Sequence, residues 1–283
     1  MNWLHAILLG IVEGITEFLP VSSTGHLNVV EKLLGYQIDS VGMTAFTAII
    51  QVGAIIAAII YFWKDIVAIV VAWFKGLTNA EARKDPNYRL GWGVILGSIP
   101  VAVVGLLFQG AIETTMRNLW VIIAALIVWS FVMWLADRHA AKRPAEKLRG
   151  MDDVTIVDSL IIGLFQALAP VFPGFSRSGA TISAGLFRGF DRVTATRLSF
   201  FLGIPALVAA GGLQAVENYH QVSTTVGWGP TIIATVVSLI VAYASIAWLL
   251  KYVSKNSFTL FIIYRIVLAV VLAVLVLTKV VAA

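Results

Sequence analysis

The chain has 283 residues, 59% of them hydrophobic and only 12% charged, with a mean hydropathy of +0.92. Soluble domains carry about a quarter charged residues, so the composition excludes an ordinary soluble protein and describes a polytopic membrane protein. The absence of cysteine excludes disulfides, a thiolate nucleophile and a thiolate metal site. The net charge of +5 reads as lysines and arginines that hold loops on one side of a membrane, not as a nucleic-acid surface.

The first apolar run, residues 3–12, has no basic stretch before it and no small-residue cleavage site, so a cleaved signal peptide is not expected. It is also shorter than the ~17–25 residues needed to cross the hydrocarbon core and suits a re-entrant half-helix. It leads into Glu13-Gly14-Ile15-Thr16-Glu17-Phe18-Leu19-Pro20-Val21-Ser22-Ser23-Thr24-Gly25-His26. Glu13 and Glu17 are one helical turn apart and share a face. Two carboxylates so placed repel unless a shared proton or a cation intervenes. A divalent cation, Mg²⁺ or Ca²⁺, is the simplest resolution, because both take carboxylate, phosphate and water oxygens. Pro20 ends the half-helix. Ser22, Ser23 and Thr24 offer more hydroxyls than one helix cap uses. His26 lies three residues after Ser23, a spacing that brings an imidazole toward the hydroxyl and outlines an activated nucleophile.

Three runs of spanning length follow, at 44–63, 91–108 and 119–136. A charged connector then covers 137–154 and contains Pro144 and Gly150. The pattern repeats: a short run at 160–169, a second polar turn, and spans at 198–216, 230–250 and 260–277. The second turn reads Pro170-Val171-Phe172-Pro173-Gly174-Phe175-Ser176-Arg177-Ser178-Gly179-Ala180-Thr181. It carries Pro, Ser and Gly in the same order as the first. Arg177 offers a planar fork of donors that suits phosphate, or else an intramembrane partner for Glu13 or Glu17. Polar groups at membrane depth are costly and usually kept for function, and irregular backbone there must be buried in protein or line a wet cavity.

The expected fold is therefore all-α, with six transmembrane helices plus two re-entrant helix-turn-helix segments. An odd number of spans per half makes it an inverted repeat of residues 1–136 and 155–283 around a linker at 137–154, with its site at the repeat interface. Both outgoing half-helices would point their N-termini, and free backbone N–H groups, at one anion. Lysines and arginines gather around residues 64–89, 138–149, 188–197 and 251–255, leaving Lys32, Arg117 and Lys279 on the other side. The basic side is expected in the cytoplasm, with both termini outside. Gln51, Ser98, Gln166 and Ser183 read as interhelical hydrogen-bond partners, Arg265 as a snorkelling side chain near a helix end, and Trp3, Trp63, Trp92, Trp120 and Trp228 as interfacial anchors.

The two motifs resemble the signatures of the bacterial undecaprenyl-diphosphate phosphatase, or bacitracin-resistance, family. The resemblance implies dephosphorylation of undecaprenyl diphosphate to undecaprenyl phosphate, a lipid carrier of envelope synthesis. It also implies a bacterial plasma-membrane site opening toward the periplasm or outer face, and dependence on Mg²⁺ or Ca²⁺. The family's Glu, Glu, Ser, His and Arg map to Glu13, Glu17, Ser23, His26 and Arg177. Joined with the residues' own chemistry, this makes Ser23, His26, Glu17 and Arg177 the catalytic candidates and Glu13 and Glu17 the metal candidates. Arg177, Ser22, Thr24, Gly25, Ser176, Ser178 and Gly179 are the candidates for the substrate phosphates. The expected partners are undecaprenyl diphosphate and the lipid bilayer. A homodimer is compatible with a chain whose oligomeric state the sequence leaves open. The competing class is a transporter or flippase of an anionic lipid or solute, because inverted repeats are also transporter architecture.

Overall fold

The computed structural model describes residues 1–38, 40–107 and 118–279. Position 108, the end of the expected span at 91–108, Arg117 and residues 280–283 lie outside the described residues. Among the described residues the regular elements are helices, with one isolated parallel bridge between Arg149 and Phe190. In chain order they are α1 (Trp3–Thr16), α2 (Ser23–Leu33), α3 (Val41–Tyr61), α4 (Trp63–Thr78), α5 (Pro86–Leu107) and α6 (Leu119–Ala141). After the connector come α7 (Ile156–Gln166) with a further turn at Leu168–Val171, α8 (Arg177–Phe187) and α9 (Arg192–Glu217). A short helix, Tyr219–Thr225, precedes α10 (Trp228–Val253) and α11 (Thr259–Leu277).

Six of these, α3, α5, α6, α9, α10 and α11, are long and apolar enough to cross a membrane, and each expected span falls on one of them. Several run longer than the apolar run, because a helix continues past the hydrocarbon. α6 extends to Ala141 through Asp137, Arg138 and His139, whose basic pair suits a helix C-terminus. Polar caps set several starts: Ser40 accepts from the Met43 N–H, and Asp191 from the Thr194 N–H. α4 was not expected. Its sixteen residues bury Ile69, Ala72 and Gly76 and leave Val67, Val70, Val71 and Phe74 exposed.

The two short apolar helices each lie along a span of the other half, α1 on α10 and α7 on α5. Glycine permits the close approach. A Cβ at Gly14 would meet the Ser238 carbonyl, and one at Gly163 would meet the Gly97 carbonyl. Phe18, in the turn between α1 and α2, packs edge-on against Phe200 of α9, ring centroids 5.0 Å apart. The polar turns therefore sit deep in the molecule, where both halves meet.

The charged ends collect on one face. Asp158, at the start of α7, is fully buried and accepts from Arg149 at 2.6 Å and Arg188 at 2.6 Å. Arg192 pairs with Asp137 at 2.7 Å, and Arg197 with Asp65 at 2.7 Å. Burial alone would raise the Asp158 carboxyl, but hydrogen bonds from Arg149, Thr155 and Arg188 outweigh it and hold the group well below the usual carboxylate range.

Candidate active site

The two polar turns are built alike. α1 stops at Thr16, before Pro20, and Ser22 caps α2 by accepting the Gly25 N–H at 3.3 Å. Ser176 caps α8 by accepting the Gly179 N–H at 3.1 Å. Both serines have positive φ, 75° and 71°. That region costs a non-glycine residue about 1–3 kcal/mol and persists where the surroundings enforce it.

Arg265 of α11 supplies part of that enforcement. It is fully buried, and the expectation that it snorkels is overturned. Its guanidinium donates to Pro20 O at 3.3 Å in the first turn and to Gly174 O at 2.9 Å in the second. It also donates to Leu126 O at 3.4 Å and Ser130 Oγ at 3.1 Å. The physical reason is local: carbonyls at a chain break have no helical partner, and buried ones need a donor. Ser178 adds a second tie, donating to Leu19 O at 3.0 Å across the two turns.

Between the turns lies a cavity of about 200 Å³. Of the expected site residues, Glu17, Ser22, Ser23, Thr24, Ser176 and Arg177 line it. Glu17 is its hub. Oε2 accepts from Ser23 Oγ at 2.7 Å and from Gln51 Nε2 of α3 at 3.1 Å, and Oε1 accepts from Arg177 at 3.2 Å. Arg177 also donates to Ser199 O at 3.0 Å, while its Nε has no partner. Arg177 is thus a counter-ion to Glu17 that brings a positive charge to the lining of the cavity. The N-terminal ends of α2 and α8 border the same space, and that arrangement favours an anion.

Several expectations need correction. His26 does not turn to Ser23. Its Nδ1 lies 2.7 Å from Ser22 O and its Nε2 2.7 Å from the Tyr264 hydroxyl, with the two rings stacked at 4°. A helical side chain leans toward the N-terminus, which carries the imidazole to the carbonyl four residues back. A carbonyl only accepts, so Nδ1 carries the proton and the Nε2 lone pair faces Tyr264. The group that accepts the Ser23 hydroxyl proton is the Glu17 carboxylate, at 2.7 Å, and not the imidazole. The N–H groups of Gly25 and Gly179 are taken by the caps, and Ser178 by Leu19 O, so these three position the turns instead of presenting free donors. Ser98 and Ser183 bond to carbonyls of their own helices, Val94 O and Gly179 O, whereas Gln51 and Gln166 do reach other helices. Those two amides also line the cavity, a role their sequence context signalled only by placing a polar side chain within an apolar run.

Glu13 stands one turn behind Glu17, fully buried, with neither carboxylate oxygen hydrogen-bonded. An unpartnered buried carboxylate calls for a proton or a cation. With Glu17 on the same face, the pair suits a divalent ion whose remaining ligands are phosphate and water. Among the described residues no group of three His, Cys, Asp or Glu side chains has metal-binding geometry, so any ion here would rest on these two carboxylates.

The family model described as bacitracin resistance protein BacA matches residues 6–271. A protein of Cutibacterium acnes named undecaprenyl-diphosphatase is 67% identical, with 100% of each chain covered. Undecaprenyl-diphosphatase 3 of Frankia casuarinae is 53% identical, again over 100% of each chain. The undecaprenyl-diphosphatase of Micrococcus luteus is 44% identical over 96% of each.

Proposed function

The chain belongs to the bacitracin resistance protein BacA family, and from that membership and the cavity's chemistry we propose that it hydrolyses undecaprenyl diphosphate to undecaprenyl phosphate and inorganic phosphate. The observation that carries the chemistry is the Ser23–Glu17–Arg177 chain of hydrogen bonds at the mouth of two helix N-termini. Ser23 Oγ attacks the terminal phosphorus and passes its proton to Glu17 Oε2. The bond from phosphorus to the bridging oxygen breaks, and undecaprenyl phosphate leaves. Water then cleaves the phosphoserine and releases inorganic phosphate. Direct attack by water on the terminal phosphorus uses the same groups and gives the same products. The Arg177 guanidinium and the helix N-termini offset the charge that phosphoryl transfer gathers on oxygen. Glu13 and Glu17 would hold Mg²⁺ or Ca²⁺, which supplies charge neutralisation to the phosphates.

The repeat reading is supported by two turns that share their cap, their positive φ and their glycine, and by the exchange of short helices between halves. On the same reading the multi-pass chain lies in the bacterial plasma membrane with its charged face in the cytoplasm, both termini outside and the cavity open to the outer side; the lysine and arginine distribution supports that orientation. The names of the relatives favour hydrolysis over transport. The test is phosphate release from undecaprenyl diphosphate by purified protein in detergent, with no second compartment. Steady release is expected; a transporter or flippase would release none.

A further inference from the structure

Resting on that hydrolysis reading, we propose that the polyprenyl chain leaves the cavity sideways between α5 and α9, with its first isoprene units against Val101, Ala206 and Ala210. A cavity of about 200 Å³ is smaller than the 300–1,000 Å³ of typical small-ligand sites. It holds a diphosphate end and leaves no room for a long chain, which must pass out through one wall. The polar wall is made by the two turns and by Gln166, whose Oε1 is buried and has no hydrogen-bond partner. Much of the remaining lining is apolar, and Val101 of α5 and Ala206, Leu207 and Ala210 of α9 belong to it.

α9 carries a track from the phosphate end to the surface. Arg177 donates to Ser199 O, and a Cβ at Gly203 would collide with the Arg177 guanidinium. Ala206 and Ala210 follow on the same helical face. Along that face exposure rises, from buried Ser199 and Gly203 to half-buried Ala206 and exposed Ala210. The side chains on that face are small, and Val101 of α5 lines the same cavity beside them. Both helices face lipid, with only 22% and 33% of their spanning windows buried inside the molecule. Pro100 and Pro205 stand next to Val101 and Ala206, and each removes one backbone hydrogen bond from its helix beside the gap.

The experiment uses a polyprenyl diphosphate with a diazirine on the isoprene unit nearest the diphosphate, photolysed on the full-length wild-type protein and mapped by mass spectrometry. Adducts are expected within residues 99–103 and 206–210. Adducts concentrated beside His26 and Tyr264 would overturn the proposal. In parallel, Ala206→Trp and Ala210→Trp should lower the ratio of kcat/KM for a long-chain to a short-chain polyprenyl diphosphate by at least tenfold. An unchanged ratio, with both substrates affected alike, would also overturn it. Wild-type protein that releases phosphate from neither substrate would instead refute the hydrolysis reading, and the labelling pattern would still decide the exit path.

Discussion

Ser22 and Ser23 are adjacent and chemically alike, yet the structure gives them different work. Ser22 spends its oxygen on a backbone N–H, while Ser23 hands its proton to a carboxylate. Ser23→Ala is expected to lower kcat by about three decades or more with KM nearly unchanged, as for loss of a nucleophile. Ser22→Ala is expected to remove about 0.5–2 kcal/mol of stability through its cap and to leave most of the turnover. Initial-rate kinetics beside thermal melts of the two variants separate the roles, and comparable kcat losses would refute the assignment. Glu13 makes a second prediction. If a cation resolves its unpartnered carboxylate, chelation should abolish phosphate release and Mg²⁺ or Ca²⁺ should restore it. Full activity in chelator would leave Glu13 to be satisfied by a proton.

Elements are held in register by side chains that act across them, and two of these are testable. Arg265→Lys keeps the charge but replaces a planar fork by a point, so it cannot serve carbonyls in both turns at once. Each orphaned carbonyl costs about 1–3 kcal/mol, so Tm should fall by about 5 °C, with kcat reduced more than KM is raised. An unchanged Tm would show that the turns stand without it. At the charged face, Asp158→Asn breaks a buried ion pair and should cost about 3 kcal/mol. Because the folded Asp158 carboxyl titrates lower than in the unfolded chain, its contribution is complete at neutral pH. It is lost only as pH falls below about 4, so the melting difference between wild type and variant should shrink in acid. The spans, the connector and both polar turns were legible because length and apolarity mark hydrocarbon crossings and Pro-Gly-Ser clusters mark breaks. α4 was not, since Lys64, Asp65 and Lys75 inside it leave an apolar stretch, residues 66–74, too short to cross a membrane. The partners of Arg265 were not, since Pro20 and Gly174 lie 245 and 91 residues away. Nor was the Ser23–Glu17 bond, because spacing along a helix names neighbours but not which way a ring turns.

At the scale of the whole molecule, the separation of a charged face from the rest makes a prediction about sidedness. The chain contains no cysteine, so single cysteines report cleanly. Gln37→Cys, exposed between α2 and α3, should react with an impermeant thiol reagent in intact cells, and Ala145→Cys, in the connector, should react only after lysis. The reverse pattern would invert the map and move the cavity's opening to the cytoplasm. The tie from Arg265 to both turns also bears on biosynthesis. The arginine comes from α11, while the carbonyls it holds come from turns 245 and 91 residues earlier. Until α11 has been made and packed, Pro20 O and Gly174 O lack their shared donor. Setting the two turns against each other is thus a late step of assembly, and a chain interrupted before α11 would carry the side chains of both turns without the tie that holds them in register.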